Sequence, residues 1–373
     1  MQISEVTSAL ESWAPRGMQQ SYDNAGLQVG DPKATVTRAL IALDLTPAVV
    51  EEAIATKAEL IITHHPLIFR PLKSITASDW HGSLILSLAR ANVALYCIHT
   101  NLDAAREGVS FALAQQLGLK DIQFLRPLKD TQLKLVTFVP HEHMDTVREA
   151  LAQAGAGRIG AYDACAFASE GTGYFKPGEN ADPHIGSAEG GLTTAQELRL
   201  EVEVLKWDLS AVLKALHEAH PYDEVAYDVY TLHQAGTQAG IGAIGSLKRA
   251  LTLRGFLNRA SDALSTNGLR FVGDPDTSIK RVAVCGGSGS DLIGDAMRAG
   301  ADAYLTADIS YHRFFEALGT DGHPRMALID AIHYETEACT EQLLESWLAE
   351  KFPKIEWIKT QYHTSPIRTF IQK

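Results

Sequence analysis

The chain is poor in the residues that build crosslinks, membrane anchors and cationic surfaces. It has only four cysteines in 373 residues. Cys97, Cys165, Cys285 and Cys339 lie far apart and form no CxxC pair, which argues against a disulfide framework or a ribbon-type zinc site. They read as reduced and mostly as small core residues, and the expected compartment is the cytoplasm. No apolar run approaches the ~20 residues that a membrane span needs, and Met1-Gln-Ile-Ser-Glu-Val carries no basic or apolar leader. Three nucleotide and hydrolase signatures are missing too. There is no Gly-Lys-Ser/Thr P-loop and no GxSxG elbow, and the GxG of Gly287 and Gly289 has Leu292 where a third glycine belongs.

Positive charge is also in short supply. The 33 Lys+Arg against 45 Asp+Glu leave a net charge of −12. Residues 131–235 hold 7 Lys+Arg and 16 Asp+Glu and so carry −9 of it. That balance disfavours a nucleic-acid-binding surface, above all on the middle segment. What is present is a globular composition, 46% hydrophobic and 21% charged, long enough for two domains and a substantial core.

Apolar periodicity divides the chain into three parts. Residues 3–14 read as an amphipathic helix with Ser4 as N-cap, and Tyr22–Gly30 as a polar turn leading to a strand. Strands are expected at 37–44, 59–63 and 93–98. Helices are expected at 46–57 (Thr46 N-cap, Pro47 at N1), 79–91 and 107–117. Apolar strands alternating with helices imply a parallel sheet covered on both faces. The rhythm changes near 130. A strand at 134–140, helix at 143–154, strand at 161–169, Gly/Pro-rich loop at 171–192, strand at 197–205, helix at 209–219 and strand at 224–232 give the split-βαβ order of a ferredoxin-like sandwich. The glycine-rich run Gln234–Gly245 reads as the way out. Parallel-type alternation then resumes, with strands at 280–285, 302–306 and 325–330 and helices at 289–299, 309–318 and 334–350. The expected architecture is therefore an α/β, two-lobed core of parallel-type sheets flanked by helices, residues 1–126 and 241–373, interrupted by an α+β domain at 127–240.

Ligands bind beyond the carboxyl ends of strands in open parallel sheets. His64 and His65 follow the first such strand end; His99, Asn101 and Asp103 follow the next. Gly286-Gly-Ser-Gly-Ser-Asp291, Asp308 with His312, and Asp330, His333, Glu335 and Glu337 follow the later ones. Histidines and acids collected at one sheet end point to metal chemistry rather than to hydrogen-bonded core imidazoles. His333 and Glu337 stand four apart and share a helix face, as do Asp308 and His312. Three histidines, one Asp and one Glu suit Zn²⁺, Fe²⁺ or Mn²⁺ better than Mg²⁺ or Ca²⁺. Five protein ligands are too many for one catalytic zinc and fit two bridged ions, with Asp103 the expected bridge. The Gly286–Ser290 run is a weaker candidate for a phosphate cradle.

These pieces together resemble the NGG-interacting factor three-like family, also called type 2 GTP cyclohydrolase I. The likeness rests on Asp23-Asn-Ala-Gly-Leu-Gln-Val-Gly30, Ile62-Thr-His-His-Pro-Leu-Ile-Phe69, His99-Thr-Asn-Leu-Asp-Ala104, Asp302-Ala-Tyr-Leu-Thr-Ala-Asp308 and His333-Tyr-Glu-Thr-Glu337. The resemblance implies two metal ions on His64, His65, Asp103, His333 and Glu337, and a hexameric ring. The middle segment, through Gly171–Glu179 and His220-Pro-Tyr-Asp-Glu224, is similar to the PII- or CutA-like insert of the family's longer members. One departure is Ala307, where the family usually has Gly. The implied activity is a metal-dependent hydrolase acting on a nucleotide, with GTP ring opening as leading reaction and His99 or His312 shuttling protons. Phosphoester hydrolysis is a variant. The alternative from another class is a metal-responsive scaffold or regulator whose insert binds a ligand or partner.

Overall fold

The computed structural model describes residues 1–178, 180–187, 191–233 and 235–369. Glu179 of the middle-segment motif and Gln234 at the head of the glycine-rich run lie outside the described residues. The chain divides into two compact units, Met1–Pro127 with Thr237–Lys373, and Leu128–Gly236.

The larger unit is built on two mixed sheets. The first runs in the order Gly26–Val29, Ala94–Cys97, Leu60–Thr63, Arg38–Ala42, Glu356–Lys359. Its last four strands are parallel and Gly26–Val29 is antiparallel. The second runs Arg270–Val272, Ala327–Asp330, Ala303–Ala307, Ser278–Ser288, Ala235–Thr252, Leu119–Lys129. Its Ala327–Asp330, Ala303–Ala307 and Ser278–Ser288 strands are mutually parallel; Arg270–Val272 and Ala235–Thr252 pair antiparallel. The all-parallel expectation therefore holds for the strand set that carries the site, and antiparallel strands flank it.

The local signals that were strong in sequence give the expected elements. Thr46 Oγ1 accepts from Val49 N–H at 3.3 Å ahead of helix Pro47–Thr56. Asp79 Oδ1 accepts from Gly82 N–H at 2.8 Å ahead of helix Trp80–Ala91. Leu60 to Thr63 and Ala94 to Cys97 are fully buried, as strands covered on both faces must be.

Other expectations need correction. The first helix, Ile3–Trp13, starts from Gln2, with Glu5 reaching back to the Gln2 N–H at 2.6 Å, so Ser4 is not the cap. The glycine-rich run does lead out of the smaller unit, which ends at Gly236, but it does so as regular structure. It is part of the long strand Ala235–Thr252, where Gly240 packs against Phe124 so closely that a Cβ would sit 2.5 Å from its ring. Residues 309–318 form a 3₁₀ turn, Tyr311–Ala317, rather than an α-helix, and the last long helix is broken into His333–Glu337 and Cys339–Lys351. The two outer thirds are not independent lobes either. Strand Leu119–Lys129 of the first third joins the second sheet, and Glu356–Lys359 of the last third pairs with Arg38–Ala42. A four-residue strand such as Glu356–Lys359 carries no period that tells which sheet it will enter.

The smaller unit is a four-stranded antiparallel sheet in the order Ala166–Phe175, Thr193–Leu205, Gln132–Pro140, Tyr227–Thr231. Helices Met144–Gln153 and Leu209–Ala219 bury Val147, Leu151, Val212 and Leu216 against Leu135, Val139, Leu200, Val202 and Val204. This is the strand order of a split-βαβ sandwich. Strand Ala166–Phe175 reaches into what reads in sequence as the Gly/Pro-rich loop. Among the described residues no helix is long and apolar enough to cross a membrane.

Candidate metal centre

The site lies in the larger unit, where strand Leu60–Thr63 stops but its backbone pairing does not. His64 N–H donates to Ala42 O at 3.3 Å and His65 N–H to Leu43 O at 3.0 Å, so the histidine pair is held at the sheet edge before Pro66 ends the run. His64 is completely buried. Its Nδ1 lies 2.8 Å from Ile98 O. His65 turns to put Nδ1 2.7 Å from Asp44 Oδ1, and Asp44 is in turn fixed by the Thr364 hydroxyl at 2.8 Å. His99, at the end of strand Ala94–Cys97, puts Nδ1 2.8 Å from Asp23 Oδ1, and Asp23 also takes the Thr100 N–H at 3.0 Å. His333 puts Nδ1 2.6 Å from Asp308 Oδ2.

All four imidazoles thus give Nδ1–H to an oxygen and present Nε2 inward. An oxygen partner on the outer nitrogen fixes the tautomer of a metal-ligating histidine and raises its basicity.

The Nε2 atoms of His64, His65 and His333 face two carboxylates. Glu337 Oε2 is 2.9 Å from His65 Nε2 and 3.0 Å from His333 Nε2, and Glu337 Oε1 is 3.8 Å from His64 Nε2. Asp103 Oδ1 lies 3.6 Å from His64 Nε2. Three ligand sets follow: His64 with Asp103 and Glu337, His65 with His333 and Glu337, and His64 with His65 and His99. Glu337 belongs to two of them, and Asp103, the bridge expected from sequence, to one. His64 Nε2 and Asp103 Oδ1 are buried with no hydrogen-bond partner. Orphaned buried donors and acceptors of this kind are costly unless something else completes them. This cluster can hold a metal ion.

The electrostatics run the same way. Burial alone would depress the His65 imidazole, but Asp44 and Glu337 push it up to about 10. Burial likewise works against charge on His333, and Glu337 with Asp308 pushes it up to about 9. Burial opposes the Glu337 charge, yet His333, His64 and His65 hold its carboxyl well below the usual range. Asp23, also against burial, is held at about 2 by His99, Thr100 and Asn24. Such a field favours cationic charge at the centre. The nearby thiols take no part. Burial and Asp103 push Cys285 up to about 12, and burial and Glu337 do the same for Cys339.

Backbone geometry builds the second half of the site. Ile332 has φ 65°, a left-handed conformation rare for a β-branched residue, immediately before His333. Asp308 has φ 56°. The buried Asp330 fixes both turns, accepting from Ile309 N–H at 3.1 Å and Ile332 N–H at 3.3 Å and pairing with Arg270. Asp330 therefore positions the site and does not face its centre. Ala307, the departure noted above, is the buried last residue of its strand, and the unusual backbone falls on Asp308. Gly287, at φ 62°, is required by close approach, because a Cβ there would meet Glu337 Oε1 at 2.1 Å. The Gly286 and Gly287 N–H groups go to Ser110 Oγ at 3.3 Å and Thr336 Oγ1 at 3.0 Å. They are spent on the protein and not left to cradle a phosphate.

Of the residues singled out in sequence, the structure gathers His64, His65, His99, Asp103, His333 and Glu337. It leaves His312 outside, on the exposed 3₁₀ turn with its ring against Tyr311. Glu335 is in none of the ligand sets, and Asn101 is spent on local structure, accepting from His99 N–H at 3.0 Å and donating to Ala14 O at 2.7 Å. Asp44 and Asp23 are not among the candidate site residues expected from sequence, and Gly287 is there only as part of the Gly286–Ser290 cradle. Asp23 sat inside the Asp23–Gly30 motif, which was the available signal; Asp44 had none, being one acid after one strand.

Fold and site together define a two-unit α/β protein with a histidine–carboxylate centre at the carboxyl ends of parallel strands. The chain belongs to the Duf34/NIF3 (NGG1p interacting factor 3) family, whose model matches residues 1–366. It is 40% identical over 370 residues to a protein of Halalkalibacterium halodurans named "GTP cyclohydrolase 1 type 2 homolog", covering 98% of both chains. Among solved structures, a Bacillus cereus protein related to NIF3 superposes with a TM-score of 0.81 at 38% identity over 99% of both chains. A Staphylococcus aureus protein does so with a TM-score of 0.77 at 30% identity, again over 99% of both.

Proposed function

We propose that this protein is a metal-dependent hydrolase with a dinuclear centre, acting on a nucleotide, and that GTP ring opening is its leading reaction. The observation that carries this reading is the set of four oriented imidazoles, three of which, His64, His65 and His333, face Glu337. In it, His64 and Asp103 would hold one divalent ion and His65 and His333 the other, with Glu337 belonging to both sets. Zn²⁺, Fe²⁺ or Mn²⁺ bound there would supply Lewis acidity to a ring carbon and to water. The protein's own part is to fix geometry and move protons. Asp44, Asp308 and the Ile98 carbonyl lock the ligand imidazoles. His99, whose Nδ1 is tethered to Asp23, would be the proton shuttle for the reacting water through Nε2. His312 is the weaker choice for that shuttle because it lies outside the cluster.

The names of the relatives support the nucleotide, and the four free cysteines support the cytoplasmic placement. The test is metal-loaded protein with GTP: one formate per turnover marks ring opening, free phosphate marks phosphoester hydrolysis, and neither sinks the hydrolase reading. A second reading, a metal-responsive regulator with a PII- or CutA-like insert, is favoured by a cavity of about 590 Å³ within the smaller unit. Metal-dependent partner capture without turnover across a nucleotide panel would support it. We further propose a homohexamer on family grounds; light scattering should give several times the 40.5 kDa chain mass.

A further inference from the structure

The smaller unit carries a second cluster of ligating side chains. Glu142 and His143 lie in the turn His141–His143 that leads into helix Met144–Gln153, and His184 comes from the stretch after strand Ala166–Phe175. One donor atom from each lies within 4.8 Å of the other two. The two imidazoles meet edge to face with ring centres 5.3 Å apart. A third imidazole nearby shows what a structural histidine looks like here. His220 gives Nε2–H to Phe138 O at 3.0 Å and accepts the Tyr222 N–H on Nδ1 at 3.2 Å, so the backbone uses both nitrogens. Among the described residues, His143 and His184 make no hydrogen bond with their rings. His184 also lines the cavity of about 590 Å³, as do Tyr222 and the buried Glu197.

We propose that Glu142, His143 and His184 form a divalent transition-metal site of the smaller unit, beside its cavity. Two imidazole nitrogens and one carboxylate oxygen suit Zn²⁺ and not Mg²⁺ or Ca²⁺. Three protein ligands leave a zinc position open, and the cavity lined by His184 is where an exogenous oxygen or nitrogen donor would complete it. Neither imidazole has an outer oxygen partner among the described residues. The site is therefore weaker than the centre of the larger unit, by the 10–100-fold or so that such partners contribute. Occupancy also ties residues 181–187 to the start of the helix. Asp182 N–H to Asp223 Oδ2, at 3.0 Å, now holds that stretch. This inference rests on its own geometry and stands or falls apart from the hydrolase reading.

The test is a Zn²⁺ titration of the full-length protein against a chromogenic chelator. The wild type should show a tight phase and a further, weaker equivalent. H143A/H184A should lose the weak equivalent and keep the tight phase; H65A should do the reverse. Both replaced side chains are at least partly exposed, so the fold is not at stake. Zn²⁺ should slow hydrogen exchange at residues 181–187 in the wild type, and not in H143A/H184A. A double variant that titrates like the wild type would overturn the proposal, as would Zn²⁺-dependent slowing that persists in it.

Discussion

In the larger unit four imidazoles each hand Nδ1–H to a carboxylate or carbonyl, and three of them aim Nε2 at a shared, buried carboxylate. In the smaller unit His143 and His184 approach each other just as closely, but partly exposed and with no such tether among the described residues. The two clusters differ in what the fold invests in them. Burying Glu337 and His64, and holding Ile332 at φ 65°, is unfavourable by itself. Charge-assisted hydrogen bonds of roughly 1.5–3 kcal/mol each offset that cost. The exposed cluster needs no such compensation and gains no preorganisation. Orientation, more than proximity, separates a built centre from a convenient one.

The harshest way to break that comparison is to remove the shared carboxylate. Glu337→Gln should abolish metal retention in the larger unit and leave the smaller unit's zinc equivalent in place; elemental analysis and the chelator titration read both. The metal-free form of this variant should also lose on the order of 3 kcal/mol of stability, since one partner of a buried ionic cluster is gone. Metal content unchanged in Glu337→Gln would refute the paired-ion assignment.

Loosening orientation without touching a ligand should cost less. Asp44→Asn or Asp308→Asn keeps every Nε2 donor but weakens the outer tether, and metal affinity should fall by about 10–100-fold. If both variants bind metal like the wild type, the tethers are structural ornaments and the contrast between the clusters loses its basis.

A milder probe is pH, with metal removed by chelation. His65 and His333 titrate at about 10 and about 9 in the folded chain, above the ordinary ~6.5. Raised values mean that their stabilising contribution is complete below about pH 6.5 and is lost as pH climbs through 9 and 10. Asp23, held at about 2, works oppositely: its contribution is complete above ~3.9 and vanishes as pH falls through 2. The melting temperature of the metal-free protein should therefore decline between pH 7 and 10, and His65→Gln should flatten that decline. Equal slopes in the two proteins would contradict it.

The smallest effect is expected from removing the smaller unit altogether. A shortened chain joining Pro127 to Thr237 through a short Gly/Ser linker keeps all of the Ile244–Ser246 and Leu251–Thr252 pairing with the neighbouring strand. It should retain the tight metal phase and lose only the weak one. Insolubility, or loss of tight metal, would show that the larger unit does not fold by itself.

Much of this was legible in the residues. Four-residue apolar runs announce buried strands because nothing else buries both faces. Thr46-Pro47 announces a helix start because the Thr46 hydroxyl can take an orphan N–H. His64, His65, Asp103, His333 and Glu337 stand out because strand ends are where a parallel sheet exposes side chains to a common edge. The sequence could not say that Glu337 faces three imidazoles, nor that Asp44, Asp23 and Asp308 each hold one. Those facts depend on distances between side chains far apart along the chain, as with Asp23 and His99 or Asp308 and His333. Period and turn chemistry act over a few residues; convergence is decided by which strands become neighbours. Glu356–Lys359 joining Arg38–Ala42 is of the same kind, as is Gly287, whose missing side chain is explained only by the carboxylate lying against it.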